Sequence, residues 1–274
     1  MRLSFAILGP VRAGVEGQQT RIGSAKVRTL LALLLVHAGT RLPTCTAIAE
    51  LWGGHPPKSA HANLRTYASR LRALLVAAGE NGDAPARLTG VPDGLILEYD
   101  SARCSLDMRD FERDAEQGRR ALAEGDCRAA APLLKRALVH WRGEPFQDAT
   151  LGPLLSTRAH ALRDRRAAAF EDAARAGLHL GEHAEWVPRL RTFLYENPTR
   201  EHAWALLMRG LYLAGDVGGA VRSYQRARET LAAELGVEPG AELRGVHDAI
   251  LRRDLPAGER SGRPDRSSGR PRAG

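Results

Sequence analysis

The sequence predicts a mainly α-helical protein in two folded parts: three helices fringed by a small antiparallel sheet, then an all-helical repeat domain. Three observations lead there. Ala, Leu and Arg are abundant while aromatics make up 5% of the 274 residues, a balance that favours helix over sheet. Strand-like alternation is confined to the first hundred residues. From about residue 106 onward the apolar spacing is helical throughout. Hydrophobic residues reach 43%, enough for sizeable cores, and the length suits two domains.

Residues 3–8, 11–15 and 19–22 read as short strands separated by Gly-Pro and Gly-rich turns. SAKVRTLLALLLVHAG follows as a helix, with Ser24 placed to cap it and Gly39 to stop it. Val27, Leu30, Leu31 and Leu34 share one of its faces. TCTAIAELWGG is a shorter helix that Thr44 can cap. HPPKS breaks the chain, and Ser59 or its successors open a third helix that runs to about residue 78. After an irregular ENGDAPA stretch, RLTGVPDGLILEYD reads as two strands around a Pro-Asp-Gly turn.

Charge singles out one segment. The chain carries a net +8, with 11 Lys+Arg against 7 Asp+Glu in residues 1–100 and 24 against 23 in residues 101–254. Residues 51–79, LWGGHPPKSAHANLRTYASRLRALLVAAG, hold Lys58, Arg65, Arg70 and Arg72 and no carboxylate. In the third helix Leu64, Ala68, Leu71 and Leu75 form one apolar stripe. Ser59, Asn63, Thr66, Ser69 and Arg70 fall opposite it, with Arg65 and Arg72 on one flank. Such a helix packs by one side and offers short polar groups to a major groove. Asn63, Thr66 and Arg70 are the candidates for base edges: Asn pairs with adenine, Arg with guanine, and Thr touches a thymine methyl. Lys58, Arg65, Ser69, Arg72, and Arg87 and Thr89 of the following hairpin are the candidates for phosphates. The order helix, short helix, turn, basic helix, hairpin is that of a winged helix-turn-helix, assigned to residues 1–103.

Three pieces of the second part superimpose: ALAEGDCRAAAPLLKRAL, LHLGEHAEWVPRLRTFL and LYLAGDVGGAVRSYQRAR. Gly125, Gly181 and Gly215 align, followed by Ala130, Trp186 and Ala220, then Leu134, Leu190 and Tyr224, then Ala137, Phe193 and Ala227. Gly181 and Gly215 are 34 residues apart, the tetratricopeptide period. A long helix, about 153–177, must be inserted between the first two units. Trp186 departs from the small residue that the repeat places there and should open the helix contact. Residues 106–254 form this domain, and residues 255–274, rich in Arg, Gly, Pro and Ser, read as a disordered basic tail.

Other chemistry is not expected. Cys45, Cys104 and Cys127 have no disulfide or zinc spacing. His179 and His183 lack a third metal ligand, and GDVGGA lacks the Lys-Ser/Thr of a phosphate loop. No nucleophile motif or paired-carboxylate cleft stands out. No catalytic residue, cofactor or metal is therefore assigned. The apolar run at residues 30–36 is far below a membrane span, so a cytoplasmic protein is the default. Residues 158–166 read as a solvated basic face, and the four Trp as packing.

With these elements in place, the chain resembles the Streptomyces antibiotic regulatory proteins, which join an OmpR-like winged helix to a helical bacterial transcriptional activation domain. LGPVRA, RTLLALLLVHAG, ELWGGHPPKSAHANLRTYASRLRALL, the Trp141-Arg142-Gly143 element and AELGVEPGAELRGVHDAILRRD carry the likeness. It covers residues 1–254. One departure is Gly94-Leu95, where the family's wing has Gly-Tyr. The resemblance implies a non-enzymatic transcriptional activator of a secondary-metabolite gene cluster. It also implies binding to direct repeats of double-stranded DNA near the promoter −35 element and recruitment of RNA polymerase holoenzyme. The oligomeric state stays open, and tandem sites about one helical turn apart would suit self-association of monomers on DNA. The competing expectation is a helical-repeat adaptor tethered to nucleic acid without sequence preference. Residues 1–105 are expected to fold alone.

Overall fold

The computed structural model of the chain describes residues 2–20, 22–79 and 84–255. Most of the tail, and Glu80–Asp83 of the ENGDAPA stretch, lie outside the described residues. The chain divides into two compact units, Met1–Gln117 with Leu133–Ala169, and Gly118–Pro132 with Phe170–Gly274.

In the first unit β1 (Leu3–Ala6), β2 (Arg12–Val15) and β3 (Gln18–Thr20) form an antiparallel meander. α1 (Ala25–Val36), β4 (Arg41–Pro43), α2 (Thr44–Trp52) and α3 (Ala60–Ala77) follow, then the hairpin β5 (Ala86–Val91) and β6 (Gly94–Tyr99), and β7 (Cys104–Leu106). β7 lies parallel to β1, giving a four-stranded sheet in the order β3-β2-β1-β7, while β4, β6 and β5 form a second sheet of three. Sequence periodicity misses β4 and β7. Each has three residues, too few to show alternation, and each exists because a distant strand offers it a free edge.

α1 buries more than its expected face. Thr29, Ala32, Leu33 and Leu35 are buried along with Val27, Leu30, Leu31 and Leu34. Ser24 occupies the cap position without a side-chain bond, and Pro43 occupies that of α2, likewise without one, which makes Thr44 its first helical residue rather than its cap. α3 buries Ala60, Leu64, Ala68, Leu71 and Leu75, which is the expected stripe.

The core of this unit does not end at residue 105. Leu3, Phe5, Leu30 and Leu34 share one cluster with Met108, Phe111, Trp141, Phe146, Leu155 and Leu162. Carboxylates stitch the same seam. Asp107, at the start of α4 (Asp107–Ala123), accepts the backbone N–H groups of Ile7 and Leu8, each at 2.9 Å. Asp148 accepts the Val11 N–H at 2.7 Å and pairs with Arg28 at 3.1 Å. Glu50 of α2 accepts the N–H groups of Leu154 and Leu155 at 2.7 and 3.3 Å, in the first turn of α6 (Pro153–His179). An anion at a helix N-terminus meets free donors and the positive end of the dipole. The expectation that residues 1–105 fold alone is therefore at odds with a core that they share. In residues 158–166 Asp164, Arg165 and Arg166 are exposed, and the face also makes local contacts: Arg158 and Arg165 pair with Glu112, Arg163 with Glu144, and Arg166 lies over Trp141.

Helix is the only regular secondary structure among the described residues of the second unit. It holds residues of α4, α5 (Cys127–Val139) and α6, then α7 (His183–Glu196), α8 (Glu201–Leu213), α9 (Val217–Leu235) and α10 (Ala241–Arg252). The three aligned glycines end helices in one way. Their φ values are 81°, 83° and 89°. Behind them the N–H groups of Asp126, Glu182 and Asp216 each bond to the carbonyl five residues back, at 2.9 Å. That is the Schellman stop, which needs a left-handed residue and hence Gly. Trp186 is wholly buried, and the room for it comes from α6. A Cβ on Gly177 would lie 1.9 Å from the indole Nε1, so that glycine vacates the space that the sequence assigned to a wider helix contact. The Trp186 ring packs edge-on to Phe170, and its N–H donates to Glu182 at 3.2 Å. Glu171, buried, takes a two-pronged bond from Arg200 at 2.7 and 2.8 Å. His179 and His183 belong to different helices.

Candidate nucleic-acid interface

α3 is a helix because apolar residues recur at spacings of 4, 3 and 4 and no Pro or Gly interrupts it. Its seat is fixed from below. Trp52 stacks on Tyr67 with ring centroids 6.1 Å apart, and Lys26 lies 4.7 Å over the Trp52 ring while donating to the Leu51 carbonyl at 2.6 Å. The face turned away from the core is left to solvent.

On that face Lys58, Arg65, Thr66, Ser69 and Arg70 are exposed and Asn63 is half-buried. The Asn63 amide donates to the Ser59 hydroxyl at 3.2 Å. The Thr66 hydroxyl donates to the Ala62 carbonyl at 3.0 Å, so the side chain has its methyl left for an apolar contact. Arg72 is half-buried and holds the wing as well: its Nε donates to the Leu88 carbonyl at 2.9 Å and ties the helix to β5. In the hairpin Arg87 is exposed in register with Glu98, and Thr89 is half-buried opposite Ile96. A carboxylate thus stands across from Arg87.

Arg65 and Arg72 also line an open groove between α2, α3 and the hairpin tip. Lys58, Asn63, Thr66, Ser69, Arg70, Arg87 and Thr89 do not. The groove brings in two basic groups that sequence reasoning passed over, Arg41 and His61. His61 was visible in the acid-free stretch but counted as neutral. Arg41 arrives through β4, whose pairing with β6 gives Arg41↔Ile96 and Leu42↔Leu95, and no local pattern announces that. Asp93 at the hairpin tip is the one carboxylate that lines the groove among the described residues. Its φ of 54° lets the turn close in two residues, and its carbonyl accepts the Thr44 N–H at 2.9 Å.

The wing keeps its form with Leu95 in the ring's place. Leu95 is buried beside Leu42, and the hairpin is paired from Ala86↔Tyr99 to Val91↔Gly94. Gly94 is required there, because a Cβ would lie 2.8 Å from the Leu42 carbonyl and 2.7 Å from Arg41 Cγ.

All three cysteines are free, and Cys104, buried and donating to the Pro85 carbonyl at 3.2 Å, has its thiol pushed up to about 11 by burial. Among the described residues no cluster of three or more His, Cys, Asp or Glu could hold a metal ion, and no helix is long and apolar enough to cross a membrane.

Comparison with known proteins places this geometry. Residues 106–251 match the bacterial transcriptional activator domain. The chain is 34% identical over 263 residues to the regulatory protein DnrI of Streptomyces peucetius, covering 95% of this chain and 96% of that one. It is 37% identical over 248 residues to the transcriptional regulator RedD of Streptomyces coelicolor, covering 90% and 70%. A solved structure of Mycobacterium tuberculosis EmbR in complex with a low-affinity phosphopeptide superimposes with a TM-score of 0.86 at 31% identity, over 94% of this chain and 67% of that one. A winged helix followed by this helical domain, with relatives matched along nearly the whole chain, makes the protein a transcriptional regulator of the Streptomyces antibiotic regulatory protein family.

Proposed function

We propose that the protein activates transcription of a secondary-metabolite gene cluster by reading DNA sequence with α3. The observation that carries this is the solvent face of α3: short polar groups and arginine, no carboxylate, on a helix locked from beneath. Asn63, Thr66 and Arg70 read base edges in the major groove. Lys58, Arg65, Ser69, Arg72, Arg87 and Thr89 approach phosphates, joined by Arg41 and His61 from the groove beside the wing. Residues 1–103 carry these contacts, and residues 106–254 carry the surface for RNA polymerase holoenzyme. The targets are direct repeats beside the −35 element, where copies meet head to tail on cytoplasmic DNA. No catalysis and no cofactor enter this reading.

The test uses the full chain. Selection of bound duplexes from random DNA at near-physiological salt should enrich one repeated motif. Purified protein should then raise transcription by RNA polymerase from a promoter that carries the motif. A pool that stays random would leave the non-specific tether standing instead.

A further inference from the structure

In the second unit a groove lies over α8 between α7 and α9. Its floor is apolar: Leu194, Trp204 and Leu207 are almost fully buried, and the Trp204 N–H is already committed to the Pro198 carbonyl at 2.9 Å. Arg191 of α7 and Arg222 and Arg226 of α9 line its edges. Tyr195, 89% exposed, stands at the rim.

These arginines differ from four others of the unit. Arg175, Arg189, Arg200 and Arg228 in the same unit each hold a carboxylate at 2.7–3.0 Å. Arg191, Arg222 and Arg226 hold none among the described residues, and no carboxylate lines the groove. Arg222 and Arg226 are four apart on one helix, where like charges repel. The trio is not the by-product of a basic domain, because residues 101–254 carry 24 cations against 23 anions.

We infer that this groove binds an acidic peptide segment with a large apolar side chain, the apolar group on the Trp204 floor and the carboxylates on the three arginines. Arg, Tyr and Trp around a small apolar floor are what binding hot spots are made of. The protein's own tail is unsuited, with five Arg against Glu259 and Asp265. Duplex DNA is unsuited as well, since a Leu-Trp floor gives phosphates nothing. The inference rests on the activator reading in one respect: it makes the segment's owner a component of the polymerase holoenzyme.

The experiment reads fluorescence anisotropy of a labelled short peptide, Asp and Glu around a central Leu-Phe pair, on the full-length protein. A peptide with Lys in place of the acids should not bind. Arg222→Glu with Arg226→Glu should weaken binding about tenfold or more, as loss and reversal of two charge-assisted contacts demand. Lys at both positions should restore much of it. The exposed Arg252→Glu, an equal kind of charge reversal on α10, should change it little. Equal weakening by Arg252→Glu would reduce the effect to bulk charge and overturn the inference. Displacement of the peptide by short random duplex would do the same by making the groove a nucleic-acid surface. A transcription assay separates the two readings. Wild-type protein that binds the peptide as described yet fails to activate would sink the activator reading and leave the groove standing.

Discussion

Arg65 and Arg72 stand two turns apart on one flank of α3, yet they answer to different demands. Arg65 is exposed, while Arg72 holds the Leu88 carbonyl. Arg65→Ala should weaken cognate and random DNA alike and lower the salt dependence of log K by about 0.9. Titrations at several salt concentrations check this. Arg72→Ala should do likewise and also lose a hydrogen bond worth about 1 kcal/mol, lowering the melting temperature by roughly 2–4 °C in calorimetry. An unchanged melting temperature would remove its role as a tie to the wing. Arg70→Ala should cost about 1–3 kcal/mol against the preferred site and relax the preference at one or two base positions. Full discrimination in the variant would sink the base contact. The apolar stripe and polar face of α3 were legible because helix periodicity is local. Arg41 was not, because only the pairing of β4 with β6 brings it to the groove. Asp114 is a second residue that sequence could not single out. Burial raises its carboxyl pKa, but hydrogen bonds from Arg136, His140 and Arg113 outweigh that and hold it below the usual range. A carboxyl lowered in the folded state stabilises it above its unfolded pKa of about 3.9 and stops doing so as pH falls through the lowered value. Asp114→Asn should thus be less stable than wild type by about 1–3 kcal/mol at neutral pH, with the gap closing in acid. Urea unfolding across that pH range measures it, and a constant gap would contradict the assignment.

At the scale of elements, the helical repeats were readable where a single residue type is compulsory. Gly125, Gly181 and Gly215 aligned in sequence because each must take a positive φ in a Schellman stop. What the alignment could not show was how Trp186 is accommodated, since its partner, Gly177, sits on another helix outside the aligned columns. Gly177→Ala should cost roughly 1–3 kcal/mol, because its Cβ has nowhere to go except into the indole. Thermal unfolding of the full chain tests this, and a neutral substitution would show that Trp186 can repack at no cost. The same contrast explains the sheets. β5 and β6 have six residues each and a Pro-Asp turn between them, so the hairpin declares itself. β4 and β7 are defined by their partners.

For the whole molecule, the first unit draws on both sides of residue 105. A fragment of residues 1–105 leaves Leu3, Phe5, Ile7 and Leu8 without Phe111, Trp141 and Phe146, each burial being worth about 1.5–3 kcal/mol. Such a fragment should not unfold cooperatively in urea, whereas the full chain should. A cooperative transition would show that the shared core is dispensable. Sequence reasoning cut the chain where strand patterns give way to helices, and composition does change there, but Asp107, Asp148 and Glu50 bind across the cut and periodicity does not record such bonds. The stitching bears on how regulators of this kind can be re-targeted. Grafting an N-terminal module from a relative onto this activation domain would set foreign loops against Asp107 and Asp148 and open the seam at Phe146. Transplanting the solvent-facing residues of α3 alone leaves every one of those bonds in place. Promoter choice should therefore be exchangeable by a handful of surface substitutions, and resistant to exchange by whole modules.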